Sequence, residues 1–154
     1  MASMIEARLD ELGLSLPDTP APVGNYVPFV RSGSLVFVSG QVSNDGAGGI
    51  KGKVGAGLSN ADGYRAARIC GLFLLAQVRA ACGGDLSRVE RVVRLGGFVA
   101  SSSDFIEHPQ VINGVSDLMV EVFADKGRHA RAAVGVPALP GDHAVEVDGI
   151  FEIC

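Results

Sequence analysis

The sequence predicts an α+β domain in which one sheet carries two helices packed on a single face. Three observations predict it. Apolar residues recur with helical spacing in two long segments, 59–82 and 111–127. Short β-branched or alternating runs lie before, between and after them. The resulting order of hairpin, helix, strand, helix and strand pair lets both helices cover one side of the sheet.

Residues 3–12 form a short amphipathic helix with Ile5, Leu9 and Leu12 on one face and Gly13 as its stop. Pro17, Pro20 and Pro22 then forbid regular structure. Residues 1–20 are too short to own a core, so 1–154 is one domain, with an N-terminal extension over 1–20 and a core over 21–154. Runs 26–30 and 35–38, separated by Arg31-Ser-Gly-Ser, predict a hairpin. After Ser39-Gly40-Gln41, dense glycine from 44 to 57 predicts a loop with one short strand at Lys53-Val54.

Ser59 caps the first long helix, Asp62 meets its N-terminal dipole, and Gly83-Gly84 ends it. Ala66, Ile69, Phe73, Ala76 and Ala80 form one apolar stripe, with Ala67, Leu74, Val78 and Ala81 beside it. Residues 89–100 read as a long strand with apolar residues on both parities, hence buried on both faces. Asp104 is placed to cap a turn ending at His108-Pro109. The second long helix carries Val111, Val115, Leu118 and Val122 as far as Gly127.

Near the end, Ala130, Ala132, Val134 and Val136 alternate with Arg131, Ala133 and Gly135. Past a turn at Pro140-Gly141, Val145, Val147, Phe151 and Ile153 alternate with Glu146, Asp148, Ile150 and Glu152. With the valine-rich faces under the helices, Arg131 and Glu146 share the opposite face, where Ala133 and Gly135 leave space. The uncovered face of the sheet predicts a subunit interface.

Composition narrows the function. The chain has 154 residues, 47% hydrophobic and 19% charged, too apolar for disorder, and its apolar runs are too short to span a membrane. Thirteen Lys and Arg against 17 Asp and Glu give a net charge of −4, so neither nucleic acid nor a membrane is expected as partner. The start Met1-Ala-Ser-Met-Ile-Glu has no basic and apolar export signal, so the cytoplasm is the expected compartment. Cys70 and Cys82 stand about 18 Å apart on one helix and cannot pair, and all three cysteines are expected to be reduced. His108, His129 and His143 are scattered, so no metal and no cofactor is expected. Lys51-Gly52-Lys53 lacks the first glycine and the Ser or Thr of a phosphate loop. Arg88, Arg91 and Arg94, in steps of three along a strand, are expected to alternate faces.

Arg131 is the sharpest candidate, because a guanidinium on a strand with small neighbours matches a carboxylate. Its other reading is a salt bridge to Glu146 or Asp148. Glu146, between Val145 and Val147, is either that partner or a proton-transfer group whose pKa burial raises. Tyr26 orients a ligand or simply packs at a strand edge. Gly40 exposes a backbone amide at a strand end or serves a turn. Asn113 reaches a ligand or is a solvated or capping amide.

The ending His129-Ala-Arg131-Ala-Ala-Val-Gly-Val-Pro-Ala-Leu139-Pro140, followed by Val145-Glu146-Val147-Asp148-Gly-Ile-Phe, resembles the signature of the RidA (YjgF/YER057c/UK114, endoribonuclease L-PSP) family. Gly24-Asn25-Tyr26-Val27, Leu35-Val-Phe-Val-Ser39-Gly40-Gln41, Phe98-Val99 and Asp104-Phe105 agree in order, so the likeness runs over about 21–153, behind an N-terminal extension. The resemblance implies a chorismate-mutase-like α+β fold assembled as a homotrimer with clefts between subunits. It implies hydrolytic deamination of reactive 2-imino or enamine acids such as 2-aminoacrylate to 2-keto acids and ammonia. Arg131 would hold the substrate carboxylate and Glu146 would position or activate water. Tyr26, Gly40 and Asn113 would line the cleft, and the main chain at Ala133 would meet the substrate nitrogen. Two alternatives stand beside it: a non-catalytic module that binds or senses a keto acid, and the endoribonuclease or translation inhibitor of the family's older name.

Overall fold

The computed structural model describes residues 3–19, 22 and 24–154. Helix α1, Met4–Glu11, starts where the Ser3 hydroxyl accepts the Glu6 amide. It docks onto the later helices: Leu9 joins the core, Glu6 pairs with Arg79, and Arg8 Nε donates to the Glu121 carbonyl. Strand β1, Phe29–Ser32, and β2, Leu35–Val42, form a hairpin around Gly33, whose φ of 62° suits a tight turn. The first strand thus begins three residues later than the sequence suggests, and Tyr26 lies in the approach loop. The glycine-rich loop holds β3, Lys53–Val54, paired in parallel with β4, Gly57–Leu58.

Helix α2, Asn60–Ala81, opens with the expected cap: the Ser59 hydroxyl accepts the Asp62 amide and the Asp62 carboxylate accepts the Ser59 amide. Strand β5, Val89–Ala100, is followed by helix α3, His108–Phe123, and by strands β6, Ala130–Val136, and β7, Val145–Ile153. Pro109 occupies the first turn of α3, where its missing amide costs nothing. Asp104 provides no side-chain cap to that helix. Among the described residues no helix is long and apolar enough to cross a membrane.

The sheet runs β1-β2-β7-β5-β6, antiparallel except for the β5/β6 pair. Helices α2 and α3 lie against one face, as expected, with α2 over β2 and β7 and α3 over β5 and β6. Three local expectations are corrected. The last two strands are not neighbours, because β5 inserts between them. The mixed parity of β5 arises in its first half from two irregularities against β7 rather than from burial on both faces. These place Val89, Val92 and Leu95 in the core at steps of three. They also put Arg91 and Arg94 on the same open face, beside Glu152 and Asp148, so these arginines share a surface after all. That surface is charge-balanced, not a phosphate track.

The third correction concerns Arg131. Strand β6 pairs Leu95 with Arg131, Gly97 with Ala133 and Val99 with Gly135. Leu95 and Val99 are core residues, so Arg131 points to the helix side. Glu146 alternates with buried Val145 and Val147 and points to the open side. The two therefore occupy opposite faces. The small residues of β6 and its neighbour β5 do not mark vacant space: a Cβ on Gly135 of β6 would collide with the His108 ring, and one on Gly97 of β5 would lie 2.7 Å from Ile112. They let the first turns of α3 approach, and the alternate residues Ala132, Val134 and Val136 face outward.

Candidate functional site

Arg131 is half-buried at the edge of the sheet, against α3. Its Nη1 donates to Ser116 Oγ at 3.0 Å and its Nη2 to the Pro109 carbonyl at 3.3 Å. Asn113 falls between those two contacts in sequence and shares their stripe of the helix. Among the described residues no carboxylate lies within ion-pair distance of Arg131, so the salt-bridge reading with Glu146 or Asp148 is overturned. Only two of the five N–H donors of the guanidinium are occupied in these bonds. The rest can take a bidentate carboxylate.

Behind Arg131 stands His129, which the sequence reading left without a role. Its Nδ1 lies 2.6 Å from the Gly127 carbonyl and its Nε2 2.9 Å from Ser116 Oγ. Burial lowers its pKa, the Gly127 bond opposes this, and the Arg131 charge lowers it further. A strand places residues two apart on one side, so the His-x-Arg spacing carried this signal.

Glu146 lies two strands away on the other face, half-buried. Burial pushes its carboxyl above the ordinary range, and the nearby Asp148 charge adds to the rise. Gly40 is the reason it fits. The β2/β7 register shifts between Val38 and Gln41, and a Cβ on Gly40 would stand 2.6 Å from Glu146 Oε2. The glycine answers a close approach, not a turn, and its need could not be read from Ser-Gly-Gln alone.

On the α2 side of this irregular segment lies a cavity of about 600 Å³ lined by Tyr26, Ser39, Gly40, Gln41, Phe73 and Gln77 among others. Tyr26, 51% exposed, forms its rim. Tyr26 and Gly40 share this cavity, whereas Glu146 does not line it and meets Gly40 on the open face of the sheet. Arg131 and Asn113 lie apart from them beside Ala133, which follows Arg131 on the same face of β6. Neighbouring strands are about 4.8 Å apart, so Arg131 and Glu146 start roughly 10 Å apart laterally, with the sheet between them.

A family profile described as "YjgF/chorismate mutase-like, putative endoribonuclease" matches residues 6–151. The chain belongs to this YjgF family. Protein TCP17 of Trypanosoma cruzi is 49% identical to it over 97% of this chain and 94% of that protein. The crystal structure of a protein of unknown function from Agrobacterium tumefaciens superposes with a TM-score of 0.91 at 49% identity, covering 97% of this chain and 92% of the other. RidA from an Antarctic Psychrobacter superposes with a TM-score of 0.58 at 29% identity, over 88% and 93% of the two chains. The α+β architecture is therefore that of the YjgF fold, and α1 packs against α3.

Proposed function

We propose that this protein hydrolyses 2-imino acids, and enamines after their tautomerisation, to 2-keto acids and ammonia, in clefts between the subunits of a homotrimer. The observation that carries this reading is Arg131, oriented by two hydrogen bonds, without an acidic partner among the described residues, and with donors to spare. Family membership and the likeness to RidA support the reaction class. The separation of Arg131 from Glu146 supports an assembled site, because one small substrate cannot touch both within one chain. Open-face Val30, Phe37 and Val134, 52%, 42% and 45% exposed, supply apolar surface for subunits to cover.

Arg131 of one copy holds the substrate carboxylate in a paired hydrogen bond, and Glu146 of the next faces the reacting carbon. Ionised Glu146 takes a proton from water as the oxygen bonds to the C=N carbon, the π electrons move to nitrogen, and Glu146 hands that proton on to the nitrogen, leaving a neutral carbinolamine and an ionised carboxylate. Glu146 then takes the hydroxyl proton as the C=O bond forms and the C–N bond breaks, and passes it to the departing nitrogen, which leaves as ammonia. Asn113, Tyr26 and Gly40 line the cleft, and the Ala133 main chain meets the substrate nitrogen. Binding without turnover and RNA cleavage are the competing readings, and the net charge of −4 disfavours the second.

The test couples the protein to a threonine dehydratase and follows 2-oxobutyrate release. Wild type should accelerate release and Arg131→Ala should not. The acceleration should rise with pH as Glu146 ionises, through a range above that of an ordinary glutamate, because the ionised form is the base and burial raises its pKa. Equal rates with wild type, Arg131→Ala and buffer would end the proposal.

Gly40→Ala separates catalysis from folding. The atoms in its way are the far end of the flexible Glu146 side chain, so stability should change by no more than about 0.5 kcal/mol. The carboxylate must shift by an ångström or so, which should lower turnover by roughly a hundredfold. Unchanged turnover in that variant would count against Glu146 as the base.

A further inference from the structure

We propose that His129 and Ser116 are positioning residues that lock the Arg131 guanidinium through a hydrogen-bond chain with one allowed direction. The inference rests on Arg131 as the carboxylate clamp and adds what holds that clamp in place.

The direction follows from donor and acceptor chemistry. The Gly127 carbonyl can only accept, so His129 Nδ1, 2.6 Å away, carries the proton. A neutral imidazole has one N–H, which leaves Nε2 bare. Nε2 must therefore accept, and the Ser116 hydroxyl donates to it over 2.9 Å. With its proton committed, Ser116 Oγ turns lone pairs outward and accepts Arg131 Nη1 at 3.0 Å. The chain begins on the turn before β6, crosses to α3 and returns to β6 two residues on. The Pro109 carbonyl fixes the other side of the guanidinium.

The groups around His129 keep it in the state this wiring needs. The turn presents the Gly127 carbonyl, α3 presents the neutral Ser116 hydroxyl, and β6 presents the Arg131 cation. Protonation would add a second cation beside Arg131 and turn Nε2 into a donor aimed at a hydroxyl that already donates toward it. Burial and the Arg131 charge both oppose that protonation. A free arginine on an edge strand samples many rotamers, whereas this one keeps its plane and its unused donors aimed before a ligand arrives.

The required tautomer is itself testable, since free histidine prefers the proton on Nε2. In the full-length protein at neutral pH, the ¹⁵N spectrum should show His129 neutral and protonated at Nδ1, and an Nε2-protonated ring would overturn the wiring. The second measurement titrates 2-oxobutyrate into wild type and variants, with far-ultraviolet circular dichroism as the check on folding. Ser116→Ala removes the relay and should weaken binding roughly tenfold, the expected loss for one hydrogen bond to a charged group. Ser116→Thr keeps the hydroxyl and should restore affinity to near wild type. His129→Phe keeps a ring but no nitrogen and should follow Ser116→Ala. If Arg131→Ala abolishes binding while Ser116→Ala binds like wild type, or if the threonine variant is as weak as the alanine, the positioning role is wrong and the clamp stands. If Arg131→Ala binds like wild type, the clamp fails and the relay has nothing to position.

Discussion

Arg131→Ala and Glu146→Gln, each inactive alone, should regain activity when unfolded together and refolded as mixed oligomers. Arg131 lies under α3 on the helix side of the edge strand, and Glu146 projects from the opposite face two strands away. A cleft that needs both must draw them from different chains. In a mixed trimer, a cleft with Arg131 from the Glu146→Gln chain and Glu146 from the Arg131→Ala chain is intact, which random assembly makes roughly a quarter of all clefts. The measurement is 2-oxobutyrate release by oligomers captured through two different affinity tags. Double capture removes the parental trimers, so each oligomer measured has one intact cleft of three and activity near about a third of wild type is expected, against none from either parent. Doubly tagged oligomers that stay inactive would overturn the shared cleft.

Gly114→Ala should destabilise the protein although alanine is the better helix former. Replacing an interior helical glycine by alanine ordinarily gains about 1 kcal/mol. Here the added Cβ would collide with the Tyr64 carbonyl oxygen of α2 and lie 3.1 Å from the Ala67 Cβ. A main-chain carbonyl inside a helix cannot swing aside. Relief requires α2 and α3 to separate, which loosens the seam where Val111 fits against Gly63 and Leu118 against Gly71. Overpacking of this kind costs about 1–3 kcal/mol, and the rigid obstacle puts it at the upper end, so a net loss of roughly 2 kcal/mol is expected. In a thermal melt this is a fall of roughly 4–8 °C. An unchanged or higher midpoint would show that the helices can part without penalty.

The parts of the fold that could be read from the sequence are those set by neighbours in the chain. Ser59 and Asp62 announce their helix because a cap needs only residues three apart. The 89–100 strand was legible end to end, and the alternation of β7 correctly gave Val145 and Val147 to the core. Strand β6 misled because Ala133 and Gly135 look alike whether they leave a vacancy or admit a helix. Gly135 admits His108 and Gly97 admits Ile112, contacts between segments more than twenty and about fifteen residues apart. The irregular registers of β2 and β5 were equally invisible, since a strand slips parity only relative to its partner.

By itself, the sequence determined the main elements, the family likeness and the residue types of the candidate site: a guanidinium, a glutamate, a tyrosine and a glycine in a fixed order. Only the tertiary structure decided which face each occupies, that β5 parts β6 from β7, and that Ser116 and His129 stand behind the arginine. The physical reason is that helix periodicity and capping are local, whereas the side of a sheet on which a residue lands depends on pairing register, and register is set by strands and helices distant in the chain.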